Sequence, residues 1–180
     1  MEPTPTPGPG SLVHITAMTP ADWDAVRRIW VAGIATGHAT FEVEPPNWES
    51  FDAAKLTDHR LVARGKRDEV LGWAAVSSTS ARPAYAGVVE HSVYVATEGR
   101  GRGIGHHLLQ QLIISTEQAG IWTLQASVFP ENSASLRLHQ ATGFRRVGER
   151  RAIARMTHGP LAGQWRDTVL LERRAQRVDT

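Results

Sequence analysis

Hydrophobic positions change their spacing early in the chain, and the change predicts a strand followed by a helix. An apolar run at 12–17 predicts the strand. Trp23, Val26 and Trp30 then recur three and four residues apart, which is typical of the buried face of a helix. Thr19 precedes this pattern at the position where a side-chain oxygen caps a helix.

The middle of the chain predicts strands. A loop at 33–46, rich in glycine and proline, and a short helix at 48–57 come first. Two apolar runs at 60–64 and 70–78 then flank a charged turn, which is a hairpin signal. The next run, 88–95, alternates between two sets of residues, so each set faces one side of a sheet.

Helices and strands alternate in the second half. The apolar spacing predicts a helix at 103–119 and a strand at 122–129. Asn132 is placed to cap another helix, which stops at Gly143. Residues 144–174 predict two more strands joined by a glycine-rich segment. Strands that alternate with helices after an initial hairpin predict a mixed α/β sheet.

Composition narrows the class of protein. A chain of 180 residues suits one domain, which we assign to 12–174, with a disordered, proline-rich tail at 1–11 and a short tail at 175–180. A net charge of +2 is too small to imply nucleic-acid binding by itself. The absence of cysteine excludes disulfides, cysteine-based zinc sites and a thiolate nucleophile. No apolar run approaches the roughly 20 residues that cross a bilayer, and the opening segment lacks the features of a secretory signal. We therefore expect a cytoplasmic protein.

A glycine-rich segment, Arg-Gly-Arg-Gly-Ile-Gly at 100–105, connects the strand at 88–95 to the helix at 103–119. Glycines tolerate positive φ and lack a β-carbon, so several backbone N–H groups can point at one anion. The helix N-terminus adds partial positive charge, and Arg100 and Arg102 add full charges. These features favour a phosphate site. A glycine-rich turn without a ligand and an RNA-binding arginine–glycine tract are alternatives, although such tracts usually lack a flanking strand and helix.

Two motifs resemble those of the GNAT superfamily of N-acetyltransferases. The segment at 100–105 is similar to its Q/R-x-x-G-x-G/A pyrophosphate signature. The segment Asn132-x-x-Ser135-x-x-x-His139-x-x-x-Gly143-Phe144 is similar to its N-x-x-A-x-x-x-Y-x-x-x-G-F helix. The resemblance implies a single-domain α/β fold whose mixed, mostly antiparallel central sheet is flanked by helices. It also implies acetyl-CoA as the acetyl donor, without a metal. The residues it places around coenzyme A are Val93, Tyr94, Val95, Arg100, Gly101, Arg102, Gly103, Ile104, Gly105, His106, Asn132 and Ser135.

Four segments look like one branch of this superfamily, the phosphinothricin and methionine-sulfoximine acetyltransferases. They lie at 33–46, 81–95, 132–148 and 159–174. The resemblance implies acetylation of the α-amine of a small amino-acid analogue, usually by a homodimer. The lack of a cysteine nucleophile agrees with direct transfer in a ternary complex, and we expect no nucleic-acid or membrane partner. Acetylation of a protein N-terminus or an aminoglycoside, an RNA-binding module and an inactive coenzyme A sensor remain open.

Two residues are candidates for proton transfer. The resemblance implies a general base on the strand at 88–95, and Glu90 is the carboxylate there; a solvent-facing or ion-paired glutamate is the alternative. His91 faces the opposite side by alternation, and we expect it to pack or to hydrogen-bond. His139 takes the position at which many family members carry a tyrosine that protonates the thiolate. It is predicted either as this acid or as a substrate contact.

The acceptor site is predicted from three residues. Arg82 can hold a carboxylate through two hydrogen bonds, Tyr85 can add a hydroxyl group, and Phe41 can form an apolar wall. Surface or packing roles are the alternatives for each. Residues 165–167 can border the site or a dimer interface, and we assign them a structural role. The adjacent histidines at 106–107 point in different directions on a helix, so we predict no metal site.

Overall fold

The computed structural model describes residues 13–176, which form one sheet flanked by helices. The strands are β1 (His14–Ala17), β2 (Arg60–Arg64), β3 (Val70–Ser78), β4 (Val88–Val95), β5 (Thr123–Val128), β6 (Arg145–Arg155) and β7 (Trp165–Arg174). The helices are α1 (Trp23–Ala35), α2 (Trp48–Ala54), α3 (Ile104–Gln118) and α4 (Ser133–Ala141).

The sheet opens at its centre. Its strand order is β1-β2-β3-β4-β5-β7-β6, and every neighbouring pair is antiparallel except β4 with β5. This order confirms the mixed, mostly antiparallel sheet expected from the sequence. The parallel ladder has three pairs and ends at Glu90 and Gln125. Beyond it, 91–95 pairs only with β3 and 126–128 only with β7. The two central strands therefore diverge and leave a gap between them.

A hydrophobic core lies on each face of the sheet. On one face, Leu108, Leu109 and Leu112 of α3 are fully buried against the strands. On the other face, aromatic side chains from α1, α2, β3 and β4 pack together, and Trp73 stacks on Tyr94 with ring centroids 4.8 Å apart. Each fully buried side chain of this size contributes about 1.5–3 kcal/mol, so both faces hold β4 firmly in place.

The first two helices differ in extent from the sequence prediction. A 3-10 turn at 20–22 precedes α1, and the Thr19 backbone N–H donates to Asp22 Oδ2 at 2.8 Å, which caps this turn. The predicted second helix ends at Ala54 instead of 57, because Lys55 is already in an extended conformation. This early end of α2 brings the Lys55 side chain to the central gap.

The predicted tail at 1–11 lies outside the described residues, as do residues 177–180 of the predicted C-terminal tail. Ala175 is described, and its backbone N–H donates to the Trp122 carbonyl at 2.9 Å. The domain boundaries remain predictions. Within the described residues, no helix is both long enough and apolar enough to cross a membrane.

Candidate active site

A cleft of about 940 Å³ lies in the gap between β4 and β5. The glycine-rich turn before α3 forms one end of it, and the N-terminal part of α4 forms a side. The loop after α1 and the end of α2 form the other end. The cleft therefore extends from the predicted phosphate site to the predicted general base, Glu90.

Glycine conformation shapes the phosphate end of the cleft. Gly101 and Gly103 have φ values of 72° and 76°, the left-handed region that L side chains rarely adopt. Gly103 is the N-cap of α3, so the unpaired N–H groups of the first helical turn follow it directly. Such a turn presents backbone donors and the positive end of a helix dipole to an anion. Ile104 anchors it, because its side chain is 1% exposed in the core.

The residues predicted to bind the phosphate differ in their position relative to the cleft. Most of them line the cleft: Arg100, Gly101, Gly103, Ile104, Gly105 and His106. Arg102 is exposed and is not among the lining residues. Gly105 also allows close packing, since a β-carbon there would lie 3.1 Å from Leu138 Cδ2 and would make that side chain shift.

The edge of β4 lines the middle of the cleft. Val93, Tyr94 and Val95 all lie along it. The side chain of Tyr94 points into the aromatic core, where burial raises the pKa of its hydroxyl. After residue 90, β4 pairs with β3 on one edge only. The backbone N–H and C=O groups on its other edge, towards β5, have no partner strand. This edge can therefore offer backbone hydrogen bonds to an extended ligand.

Asn132 joins α4 to the loop after α1. Its Oδ1 accepts from the Ser135 backbone N–H at 3.1 Å, which confirms the predicted N-cap. Its Nδ2 donates to the His38 carbonyl at 3.0 Å. Both Asn132 and Ser135 line the cleft. The same side chain thus starts a helix and closes one wall of the cleft.

Two buried histidines meet in the cleft wall. Nε2 of His91 lies 2.9 Å from Nε2 of His139, and the two residues are 5% and 2% exposed. Nδ1 of His139 lies 2.7 Å from the Ser135 carbonyl, which can only accept, so Nδ1 carries the hydrogen. In a neutral pair, His139 Nε2 is then an acceptor, and His91 Nε2 donates to it.

The environment keeps this pair neutral. Burial lowers the pKa of His91 to about 3, and the neighbouring His139 adds to the effect. Burial also lowers the pKa of His139, and the bond to Ser135 partly opposes this. His91 lies on the face of β4 opposite Glu90, as the alternation predicted, and it hydrogen-bonds there to His139.

Three charged side chains occupy the other end of the cleft. Glu90 is half-buried at the last pair of the β4–β5 ladder. Glu42 and Lys55 face the same space, next to Phe41, whose ring packs edge-on against Phe129 at 4.9 Å. Partial burial raises the pKa of Glu42, and the charge of Lys55 lowers it. The arrangement combines one cation with two carboxylates.

Sequence reasoning missed Lys55, Glu42 and Ser77, all of which line this end. Glu42 had a weak signal, because it directly follows Phe41. A lysine near the end of a short helix carries no comparable signal, since such a side chain is usually solvated.

Arg82 and Tyr85 lie in the turn between β3 and β4. Both are exposed, and the guanidinium of Arg82 lies 5.8 Å from the centre of the Tyr85 ring. Neither is among the residues that line the cleft, and their contact with an acceptor stays a prediction.

Arg166 has the structural role assigned to 165–167. Its buried guanidinium donates to the Gly37 carbonyl at 2.9 Å and to Glu131 at 3.1 Å, and it lies 4.0 Å above the Phe129 ring. It therefore ties the loop after α1 to the segment after β5, and both border the cleft. No three histidine, aspartate or glutamate side chains within 13–176 lie close enough together to hold a metal ion.

Comparison with protein-family models gives a match to the acetyltransferase (GNAT) family over residues 23–144. The chain is 36% identical over 165 residues to the phosphinothricin N-acetyltransferase of Alcaligenes faecalis, and the match covers 88% of this chain and 81% of that protein. It is 35% identical over 112 residues to an L-methionine sulfoximine/L-methionine sulfone acetyltransferase of Pseudomonas aeruginosa, a match that covers 62% of each.

Solved structures share the fold. A GNAT superfamily phosphinothricin acetyltransferase from Sinorhizobium meliloti, determined in complex with acetyl-CoA, superposes with a TM-score of 0.80 at 28% identity. The match covers 91% of this chain and 89% of that one. An acetyltransferase from Salmonella typhimurium with its cofactor acetyl-CoA gives a TM-score of 0.81 at 23% identity, which supports the fold alone.

Proposed function

The chain belongs to the acetyltransferase (GNAT) family, and we propose that it acetylates the α-amine of a small amino-acid analogue of the phosphinothricin or methionine-sulfoximine type. It is an acetyl-CoA-dependent N-acetyltransferase. The observation that carries the proposal is the central gap, which has a glycine-lined helix N-terminus at one end and Glu90 at the other. We propose direct transfer with both substrates bound together; the chain has no cysteine to form a thioester intermediate, which agrees with this route.

We propose that the parts of acetyl-CoA lie along the cleft in order. The turn at 100–106 supplies backbone donors and the Arg100 charge for the pyrophosphate. The open edge of β4 at 93–95 supplies hydrogen bonds for the pantetheine arm. A backbone N–H on the same edge can stabilise the negative charge that develops on the thioester oxygen. Asn132 and Ser135 border the arm from the α4 side.

Glu90 is proposed as the general base. A free α-amine has a pKa near 8, so it must lose a proton before or after it attacks the thioester. Glu90 stands where the ladder between the central strands ends, and its carboxylate can take this proton directly or through a water molecule. The amine proton leaves as the C–N bond forms, and the sulfur gains a proton as the C–S bond breaks.

We assign His139 the role of proton donor to the thiolate, in preference to binding an acidic group of the acceptor. Its lowered pKa keeps the ring neutral at rest, so it has no charge to attract an anion. In the resting pair its Nε2 accepts from His91 and its Nδ1–H is held by Ser135, so the ring can donate only after Nε2 has taken up a proton from solvent. The lowered pKa then makes it give that proton readily to the thiolate. Arg82 and Tyr85 are proposed to contact the second acidic group of the acceptor, with Phe41 as the apolar wall.

Release of free thiol from acetyl-CoA tests the proposal. Purified protein should release thiol with phosphinothricin or methionine sulfoximine, and more slowly with an aminoglycoside or a peptide N-terminus. Faster release with the aminoglycoside or the peptide would remove the acceptor assignment. Binding of acetyl-CoA without release for any amine would instead indicate a sensor. Salt-dependent RNA binding that coenzyme A does not disturb would indicate the nucleic-acid module.

A homodimer is also proposed. β6 is an edge strand, and Val147 and Ile153 on it, with Trp165 at the start of β7, are 44%, 46% and 64% exposed. Exposed apolar side chains on an open edge strand favour an interface. Sedimentation should give twice the chain mass, and Trp165→Arg should shift it towards the monomer; a monomeric wild type would reject the dimer.

We further propose that the protein works in the cytoplasm, where acetyl-CoA is made and used, and that acetylation confers resistance. N-acetylation removes the positive charge of the α-amine, which a toxic glutamate analogue shares with glutamate. Expression in a sensitive host should restore growth on phosphinothricin, and expression of Glu90→Gln should not.

A further inference from the structure

Lys55 is the cation at the acceptor end of the cleft. Arg100 lies at the opposite, phosphate end. The closest polar contact of Lys55 Nζ is the hydroxyl of Ser77, at 3.5 Å, and no carboxylate within residues 13–176 lies within ion-pair distance of it. Its side chain is nevertheless partly buried. A partly buried ammonium group without a carboxylate in direct contact is costly, so the Lys55 ammonium can take an anionic ligand group as its direct partner.

The backbone holds Lys55 in one position. Its N–H donates to the Phe51 carbonyl at 3.0 Å and closes the last turn of α2. Its carbonyl accepts from the guanidinium of Arg60 at 2.6 Å, and the same guanidinium binds both the carboxylate and the carbonyl of Asp52. Arg60 is 3% exposed. The Lys55 side chain therefore starts from a fixed point in the wall of the cleft.

The charges near Lys55 match those of a free amino acid. Burial lowers the pKa of the Lys55 ammonium, whereas the carboxylates of Glu42 and Glu90 raise it. These three groups thus lie within electrostatic range of one another, one positive and two negative. An amino acid has an anionic carboxylate and a cationic or neutral amine on the same carbon atom. An acceptor whose amine faces Glu90 can turn its carboxylate towards Lys55, since both residues line this end of the cleft.

We propose that Lys55 binds the α-carboxylate of the acceptor, so that the enzyme selects free amino acids over their carboxamides, simple amines and peptide N-termini. This inference rests on the proposed function and adds the group that the acceptor must carry besides its amine. It also separates two anion contacts: Lys55 holds the α-carboxylate inside the cleft, and Arg82 is left for the acidic group of the side chain.

Methionine sulfone and its carboxamide are a matched pair of acceptors that differ only at the α-carboxyl group. Wild-type kcat/KM should be about 30- to 100-fold higher for the free acid, the range expected for one charge-assisted hydrogen bond in a partly buried site. Lys55→Met should lower kcat/KM for the acid by a similar factor and leave the carboxamide within about threefold. Lys55→Arg should restore part of the preference.

Lys66→Met is the matched control, because Lys66 is the only other lysine in the chain and is exposed in the turn between β2 and β3. It should keep the wild-type preference for the acid. Affinity for acetyl-CoA should be the same in all these variants. If Lys55→Met fails to fold, equal wild-type rates for the two acceptors would still reject the inference, and Lys55→Arg, with a preference weaker than that of the wild type, would still assign the contact to Lys55.

Equal rates for the two acceptors with the wild type would overturn the inference and leave acetyl transfer intact. A similar loss for both acceptors in Lys55→Met would also overturn it, because it would assign Lys55 to structure. Loss of the preference in Arg82→Met, but not in Lys55→Met, would move the carboxylate contact to Arg82. No thiol release with any amine would reject the proposed function itself, and the inference with it.

Discussion

The buried pair of His91 and His139 should make the protein sensitive to mild acid. In the folded chain the pKa of His91 is lowered to about 3 by burial, whereas in the unfolded chain it is near the ordinary value of about 6.5. Between these two values the unfolded chain binds a proton that the folded chain does not. Stability should therefore be level above about pH 6.5 and should fall as the pH falls through this window.

The size of the effect follows from the difference in pKa. Each pH unit below about 6.5 costs about 1.4 kcal/mol, so at pH 5 the contribution of His91 alone is about 2 kcal/mol. Small domains have a total stability of about 5–15 kcal/mol, so this loss is a considerable fraction. With a urea dependence of about 2 kcal/mol per molar, the unfolding midpoint should fall by about 1 M.

Urea unfolding followed by tryptophan fluorescence at pH 7.5 and pH 5 measures the loss. His91→Gln keeps a donor for His139 Nε2 and cannot titrate, so its midpoint should fall by about 1 M less than that of the wild type. His14→Gln, which changes an exposed histidine on β1, should behave like the wild type. If the wild type and His91→Gln lose stability in parallel, then His91 is not a buried neutral base and the reasoning is refuted.

Three further changes test separate parts of the site. Glu90→Gln should lower kcat about 10²- to 10⁴-fold while the Kd of acetyl-CoA stays unchanged. Glu49→Gln on the exposed face of α2 should change neither quantity. Weaker binding of acetyl-CoA by Glu90→Gln would indicate that Glu90 has a structural role. Gly103→Val forces a side chain into positive φ at the α3 N-terminus, so it should cost about 1–2 kcal/mol of stability and raise the Kd about tenfold. Gly120→Val imposes a comparable strain at the far end of α3, where φ is 78°, and should cost stability without changing the Kd. An equal change of Kd in both variants would show that the turn does not bind the anion. Arg166→Met removes the link between the loop after α1 and Glu131, so it should raise the acceptor KM severalfold and lower stability by about 1–3 kcal/mol. An unchanged KM would show that the loop holds its position without Arg166.

Local patterns predicted most elements of this fold. The alternation in 88–95 placed Glu90 and His91 on opposite faces, because side chains in a strand have a strict period of two. The cap at Asn132 was predictable, since a side-chain oxygen there is followed by a helical pattern. The end of α2 was predicted three residues too late. The extended backbone of Lys55, whose carbonyl is held by Arg60, is a tertiary effect that helix propensity does not contain.

The parts of the site that depend on distant contacts could not be predicted. The gap between β4 and β5 arises because the two strands follow different neighbours after Glu90, and strand pairing is invisible to local periodicity. His91 and His139 are 48 positions apart in sequence and share a hydrogen bond only because α4 packs against the open strand. Lys55 reaches the acceptor end of the cleft because α2 ends before it and Arg60 holds its carbonyl, which is also a contact between separate elements.

Calorimetric titration of acetyl-CoA into the folded wild type, beside Gly103→Val and Gly120→Val, tests the central claim most directly. The cleft between β4 and β5, with its glycine-shaped turn, predicts saturable heat at one site per chain, about tenfold weaker binding in Gly103→Val and wild-type affinity in Gly120→Val. A folded wild-type protein that produces no heat of binding would contradict the account.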